Sequence, residues 1–340
     1  MASIVMPRGE VSSRRVPGQL PPIALVRDLI NSHVLARSIH VVAELGVADA
    51  LGDEPLTAIE LAARTGADAD ALNRILRLLA ANDVFASGPR GYSHTEASRL
   101  LRSDHPQSLR SFGRMIGLPV MWHAFTALGD VARSGDPAMP WAALVEHLAR
   151  HPDEGRLFNE AMVGKSGAII PAVIDAYDFT AFATIADVGG GHGHLLHAIL
   201  QHAPAASGIL FDLPHVVAEA APHDRIRPAA GDFFSNPLPV ADAYLLMEVV
   251  HDWADTQAIA ILTAVRRAAP PHARVLIVEA LVPESPGPHF SKTLDVIMLA
   301  LTGGRERTPS EYAALCAAAG LRVERIVPTR SQHSIVEAQL

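Results

Sequence analysis

Thr184-Ile185-Ala186-Asp187-Val188-Gly189-Gly190-Gly191-His192-Gly193-His194, continuing into Leu195, Leu196, Ile199 and Leu200, decides the fold of this 340-residue chain. A β-branched apolar run stops at glycines and restarts with apolar residues at helical spacing, which predicts strand, tight turn and helix in that order. Glycine in such a turn lets another molecule touch the backbone. Carboxylates follow at Asp212 and Asp232, each just after a further apolar run, and then comes His251-Asp252-Trp253. Together these suggest a nucleotide-like ligand at the edge of a parallel sheet, with a base beside it.

Working outward, strands alternate with helices from about residue 180. Strands are predicted at Ile185–Val188, Gly208–Phe211, Ala243–Met247 and Arg274–Val278, with a final pair near Leu321–Val327 and Ser334–Ala338. That rhythm indicates an α/β domain over residues 176–340, a mostly parallel, doubly wound Rossmann-like sheet with helices on both faces. Residues 106–175 read as a helical connector contributing to a substrate pocket, broken at Gly117-Leu118-Pro119, Ser134-Gly135-Asp136-Pro137 and His151-Pro152-Asp153.

Residues 21–105 are helical and compact. Val34, Val41, Val42 and Leu45 line one face of a helix that Gly46 ends. Thr57-Ala58-Ile59-Glu60 is a capping box with Leu56 and Leu61 as its hydrophobic staple, and Asp68 or Asp70 starts a helix carrying Leu72, Ile75, Leu76 and Leu79. Val84-Phe85-Ala86 and Gly91-Tyr92-Ser93 flank a Gly-Pro turn and read as a small hairpin. The outline is a largely all-helical, winged-helix-like unit. Residues 51–100 hold seven Asp/Glu against five Lys/Arg, so the reading helix of a DNA-binding winged helix lacks its phosphate partners. Dimer contacts through the early apolar helix are the better use.

Composition narrows the class. A hydrophobic fraction of 49% and a formal charge of −8 fit a well-filled core and argue against nucleic acid or an anionic membrane as partner. No apolar stretch approaches the ~18 residues that would span a bilayer. Residues 1–20 lack the apolar centre of a signal peptide and read as a flexible tail, so a cytoplasmic protein is expected. The lone Cys316 excludes an internal disulfide and reads as a buried structural thiol.

The glycine spacing Asp187-x-Gly189-x-Gly191-x-Gly193 fails the dinucleotide fingerprint, whose last glycine would fall at His194. The form is that of S-adenosylmethionine (SAM) binding, with an ordinary tight turn as the alternative. Asp212 lies 19 residues beyond Gly193, where a carboxylate can accept both ribose hydroxyls; it could equally be the N-cap of the helix after Pro214. Asp232 could accept from the adenine amino group with Phe233 against the ring, or be a loop aspartate without a ligand. His251 ends a strand heading into the same crevice, and an imidazole suits proton removal near neutral pH, although a lone strand-end histidine is often structural. The scattered histidines show no metal-ligand spacing, so no metal is expected.

Asp187–Gly193, Phe211–Pro214, Gly231–Phe233, His251-Asp252-Trp253 and Gly303-Gly304-Arg305-Glu306-Arg307-Thr308 together resemble the SAM-dependent O-methyltransferases of the plant caffeic-acid type and their bacterial natural-product relatives. The resemblance covers nearly the whole chain and implies a class I methyltransferase domain behind an N-terminal dimerisation domain, working as a homodimer. It implies that Gly189, Gly191, Asp212, Asp232, Phe233 and Ser166 bind SAM. It also implies that His251 is the general base, flanked and oriented by Glu279 and Glu306. Met162, Met298 and Asp252 fall on the acceptor side. Plant members carry a lysine where this chain has Met247, which keeps the cofactor-side position without its cation, and the segment from Met298 to Gly303 is shorter than theirs. The implied reaction is methylation of a phenolic or similar hydroxyl of a small aromatic metabolite. The alternatives are a SAM-binding relative catalysing hydroxylation or decarboxylation, and a winged-helix DNA-binding regulator.

Overall fold

The computed structural model describes residues 21–340, and the tail expected over residues 1–20 lies outside the described residues. The chain divides into two compact units, Met1–Thr95 and Glu96–Leu340.

The first unit contains α1 (Pro22–Ile30), α2 (Ser32–Glu44), α3 (Val47–Leu51), α4 (Ala58–Thr65), α5 (Ala69–Ala80) and a hairpin of β1 (Phe85–Gly88) and β2 (Gly91–His94). Its helix limits follow local chemistry. Gly46, in the left-handed region at φ 66°, separates α2 from α3. Thr57 and Glu60 make both capping-box hydrogen bonds, and of the two candidate aspartates it is Asp68 that caps α5, accepting from the Ala71 N–H. Leu61, Leu72, Leu76, Leu79 and Phe85 form the buried interior. The expected hairpin is a true antiparallel pair. One expectation needs correction. Val34 does not share the buried face of α2: Val42 and Ala43 are buried, whereas Val34 is exposed, as are Ile23, Val26, Leu29 and Ile30 of α1.

The second unit opens with α6 (Glu96–Arg99), α7 (Arg110–Ile116), α8 (Pro119–Thr126), α9 (Leu128–Ser134), α10 (Trp141–Arg150), α11 (Pro152–Ser166) and α12 (Ile169–Ala176). The breaks fall at the expected Gly and Pro clusters. By length and composition alone, one window within Pro152–Ala176 could cross a membrane. That segment is nonetheless two helices, and its Leu157, Ala161, Ile169 and Val173 are buried in protein cores.

The sheet region follows as β3 (Thr184–Val188), α13 (His194–His202), β4 (Ser207–Asp212), α14 (Pro214–Val217), β5 (Ile226–Ala230), β6 (Ala243–Met247), α15 (Asp255–Ala268), β7 (Arg274–Glu279), α16 (Phe290–Leu301), α17 (Pro309–Ala318), β8 (Arg322–Pro328) and β9 (Ser334–Gln339). The strand order is β5-β4-β3-β6-β7-β9-β8. The first five are parallel, and β9 runs antiparallel to both of its neighbours, β7 and β8. The expected strands are all present. β5 was not among them, because Ile226-Arg227-Pro228-Ala229-Ala230 is short, half-exposed and contains proline, which an edge strand tolerates. Val188, Tyr244, Leu246, Ile261 and Tyr312 pack on one face, Ile185, Leu196, Ile199 and Leu245 on the other. Burial on both faces is why the parallel strands read as unbroken apolar runs. Cys316 lies in the first of these cores, where burial pushes its thiol up to about 11, as expected of a structural residue.

β3 has β4 on one side and β6 on the other, so successive strands are added in opposite directions from it. In an open α/β sheet that switch leaves a crevice outside the carboxyl ends of the strands. The turn after β3 and the turn after β6 both open there. The helix that follows the glycine turn is anchored at its far end: Arg225 donates to the carbonyls of Leu200 (2.6 Å), Ala203 and Ala206 (3.1 Å each). Arg225→Ala should therefore cost about 2 kcal/mol and lower the unfolding midpoint in a urea titration; an unchanged midpoint would show the cap to be idle.

Candidate active site

The glycine turn is built by two different demands. Gly189, Gly191 and Gly193 have φ of 71°, 57° and 80°, a region other residues enter only under strain. Gly190 is required by packing instead, since a Cβ there would stand 2.5 Å from Asp187 Cγ and 2.7 Å from Leu210 Cδ1. A Cβ on Gly191 would meet nothing within 4 Å, so that part of the turn faces open space in which a ligand can lie. Asp212 fixes the turn: its Oδ2 accepts from the Gly191 N–H at 2.8 Å and its Oδ1 from the Leu213 N–H at 2.7 Å. It is not a helix cap, because α14 has Leu213 at its N-cap with no side-chain cap bond. Beneath, burial and the neighbouring Asp212 charge push the Asp187 carboxyl up to about 7.

Asp232 follows β5 and organises its own loop, accepting from the Phe234 N–H at 2.9 Å and from Ser235 Oγ at 3.2 Å. Phe233 packs partly against the main core. Phe234, which the sequence reading passed over, is the more exposed ring. The two rings and Trp253 form an edge-on triad with centroids 4.8–6.0 Å apart, joining the Asp232 loop to the His251 turn.

The His251 turn is a single 3₁₀ turn, Val250–Asp252, at the end of β6. His251 Nδ1 lies 2.6 Å from Glu306 Oε1 and 3.5 Å from Glu279 Oε2, and its Nε2 lies 3.8 Å from Asp252 Oδ1. An ionised Glu306 can only accept, so Nδ1 carries a proton towards it and Nε2 is the nitrogen left for chemistry. Glu279 also holds the backbone, its Oε1 accepting from the N–H groups of Val250 (3.1 Å) and His251 (3.2 Å). The loop bearing Glu306 is clamped onto the same turn. The Arg305 N–H donates to the His251 carbonyl at 2.8 Å, and a Cβ on Gly304 would come within 2.0 Å of that oxygen. Arg307, fully buried, donates to the Trp253 carbonyl and Asp255 Oδ1 (2.8 Å each) and to the Val250 carbonyl (3.3 Å).

Burial alone would lower the His251 imidazole. The charges of Glu279, Asp252 and Glu306, with the hydrogen bond to Glu306, outweigh it and raise the group to about 10. Burial raises Asp252 to about 6. Glu279 also moves upward, through burial and then the charges of Glu306 and Glu248 against the pull of His251. The ligand atoms of His251, Glu279 and Glu306 lie within 4.8 Å of one another, a convergence that sequence spacing did not suggest. The 2.6 Å Nδ1–Oε1 contact is that of a shared proton, and we assign the cluster as a hydrogen-bonded one.

A second polar cluster adjoins it and was missed from the sequence. Lys165 Nζ lies 2.5 Å from Glu248 Oε1, and His333 Nε2 lies 3.1 Å from the same oxygen. Glu248 has φ 54° although it is not glycine. Burial would raise Glu248, but Lys165 and His333 hold its carboxyl well below the usual range. One sequence signal existed: of 28 Lys and Arg residues only Lys165 and Lys292 are lysines. Ser166 ends α11 beside Lys165. Met247 packs partly buried against the core of Ile199 and Leu245. Met162 lies against the cluster of Met121, Leu157 and Leu301, and Met298 is buried with Ala280 and Leu294; Ile297 touches both clusters.

Gly304→Ala should push the Glu306 loop off the His251 carbonyl and cut turnover at least tenfold; wild-type turnover would show the close approach to be unnecessary. Arg307→Met should cost about 1–3 kcal/mol in a denaturant titration, because it leaves the Val250 and Trp253 carbonyls without their donor. The His251–Glu306 contact should stabilise the fold fully below the ordinary histidine value near 6.5, and that contribution should fade as pH rises through about 10. Glu279 contributes the largest upward pull on the ring, so Glu306→Gln should shrink, not abolish, this difference between pH 6 and pH 10 melts.

Residues 125–322 match the O-methyltransferase domain family and residues 27–104 the O-methyltransferase dimerisation domain family. The chain is 41% identical to the phenazine O-methyltransferase of Lysobacter antibioticus, over 95% of this chain and 97% of that protein. It is 36% identical to the mitomycin biosynthesis 6-O-methyltransferase of Streptomyces lavendulae, over 89% and 90% respectively. The methyltransferase of calicheamicin biosynthesis, solved with S-adenosylhomocysteine (SAH) bound, superposes with TM-score 0.86 at 36% identity, covering 94% of this chain and 99% of that one. The glycine turn open at Gly191, the aspartates beyond β4 and β5, and the acidic surround of His251 are a site that a cationic adenosyl cofactor fits. The chain belongs to the SAM-dependent O-methyltransferase family, with a Rossmann-like class I domain and an N-terminal dimerisation domain.

Proposed function

We propose that this enzyme methylates a hydroxyl, phenolic in character, on a small aromatic secondary metabolite, with His251 as general base. The observation that carries the reading is the buried imidazole 2.6 Å from Glu306 at the same sheet edge as the glycine turn. Glu306 and Glu279 orient the ring through Nδ1 and stabilise its cation, the usual logic of an oriented base. His251 Nε2 takes the acceptor proton while the acceptor oxygen is aligned for in-line attack. When bound, SAM supplies an electrophilic methyl on a positively charged sulfur.

On the cofactor side stand Gly189, Gly191, Asp212, Asp232, Phe233, Ser166 and Met247. Each Asp212 oxygen keeps a second lone pair for ribose hydroxyls after its backbone bond. Exposed Phe234 joins Phe233 as a stacking surface. Met162, Met298 and Asp252 face the acceptor, and residues 106–175 supply the apolar walls. The phenazine named for one relative supports a planar aromatic acceptor. Retention of His251, Glu279 and Glu306 together favours methyl transfer over hydroxylation or decarboxylation. The dimerisation domain and the exposed apolar residues of α1 support a homodimer. The reduced, buried Cys316 suits a cytoplasmic setting.

With methyl-labelled SAM and a panel of phenols, His251→Asn should still bind donor but lose about 10²–10⁴ in turnover. Unchanged turnover would remove the base, and no label on any phenol would remove the reaction. At donor concentrations well below saturation, where the imidazole of the free enzyme sets the limb, turnover should also climb from neutral pH towards about 10, and Glu306→Gln should draw that limb to lower pH; a flat profile would contradict an imidazole base.

A further inference from the structure

The charges around His251 do not balance. Glu248 is matched by Lys165. That leaves Asp252, Glu279 and Glu306 around one imidazole whose side chain is 5% exposed. Two of their oxygens, Glu279 Oε2 and Glu306 Oε2, are buried without a hydrogen-bond donor among the described residues. Such a cage holds one proton on the ring and has negative charge left over. Buried, unmatched carboxylates are costly unless a cation completes them.

We infer that Asp252, Glu279 and Glu306 form a counter-ion site for the donor's sulfonium, and that arrival of this second cation drives a proton from His251 into solvent, so that donor binding itself arms the base. This rests on the reading that SAM lies at the ends of β3 and β6. Two cations in one low-dielectric cage repel, and of the two only the imidazolium can discharge, through its Nε2 or Nδ1 proton. Burial pushes Glu279 up to about 8 and Asp252 up to about 6, so both have given up their own protons above about pH 8 and the ring is the source there. The other groups facing the ring do not take over this role. From α11, Lys165 is held charged by Glu248, Asp252 and Glu279 against its burial. From the loop, Arg307 cannot deprotonate. From α17, burial keeps the Tyr312 hydroxyl protonated. From α16, Asp295 accepts the Glu306 N–H at 3.0 Å and reaches His251 only through that residue. From β9, His333 is spent on Glu248. The cage thereby discriminates SAM from its neutral product SAH, which brings no charge and leaves the imidazole protonated.

Calorimetry of the whole protein in buffers of different ionisation enthalpy counts the protons released per ligand bound. Between about pH 8 and about pH 10, SAM should release more protons than SAH. The SAM-to-SAH affinity ratio should rise with pH by up to about tenfold per unit. His251→Asn should erase the excess, and Glu306→Gln should move it to lower pH. Equal proton release by SAM and SAH, or an excess that survives His251→Asn, overturns the inference while leaving the methyltransferase reading in place. Heat from neither SAM nor SAH overturns the cofactor reading and the inference with it.

Discussion

The contact between His251 Nδ1 and Glu306 Oε1, 2.6 Å long and sealed from water, is what the rest of the second unit is arranged to hold. An imidazole among carboxylates in a buried place is expensive, and such an arrangement persists only when its backbone is fixed from several sides. Glu279 grips two consecutive N–H groups from β7, and the 303–308 loop lies on the His251 carbonyl through Gly304 and Arg305. Arg307 spends its guanidinium on the carbonyls of the same turn. None of these residues need touch a substrate. They convert a strand end into a rigid mount for one nitrogen.

The sheet supplies the position and the glycine turn the ligand's bed. Because strands are added in opposite directions from β3, the turns after β3 and β6 stand side by side, and Asp212 pulls the glycine turn towards the end of β4. The Lys165–Glu248–His333 cluster ties α11 and β9 to the end of β6. The helix carrying Met162 and Ser166 is thus fastened three residues upstream of His251. A charge pair buried at that place helps fix where α11 lies, at the cost of desolvating two ions.

Much of this was legible in the chain. Parallel strands announce themselves as apolar runs because both of their faces are buried, and Gly189–Gly193 is legible because so many glycines in one turn have a backbone reason. β5 was hidden by Pro228 and by exposure, since an edge strand has little core to declare. His251 and its flanking acids were visible only as a combined pattern: His251 and Glu306 are 55 residues apart, and no spacing rule joins them. The Lys165–Glu248 pair was invisible for the same reason. Asp212 as a helix cap was a fair reading of Asp-Leu-Pro, and only the geometry excludes it. The exposure of Val34 was also beyond reach, because apolar periodicity marks a face for burial without saying whether this chain or another covers it.

The carboxylate cage gives these pieces a common electrostatic purpose. Before methyl transfer the positive charge in the crevice belongs to the donor's sulfur. On the proposed reading it afterwards belongs to His251, which has taken the acceptor proton. The number of cations inside Asp252, Glu279 and Glu306 is therefore the same on both sides of the reaction, and fixed carboxylates serve the charge wherever it lies along the way. Stabilisation of this kind needs no reorganisation at the moment of reaction, which is where preorganised sites gain most of their rate. It also explains why the imidazole is surrounded by more acid than orientation alone requires. One carboxylate suffices to hold a ring in place; a wider acidic surround serves a positive charge that passes from the donor's sulfur to the ring.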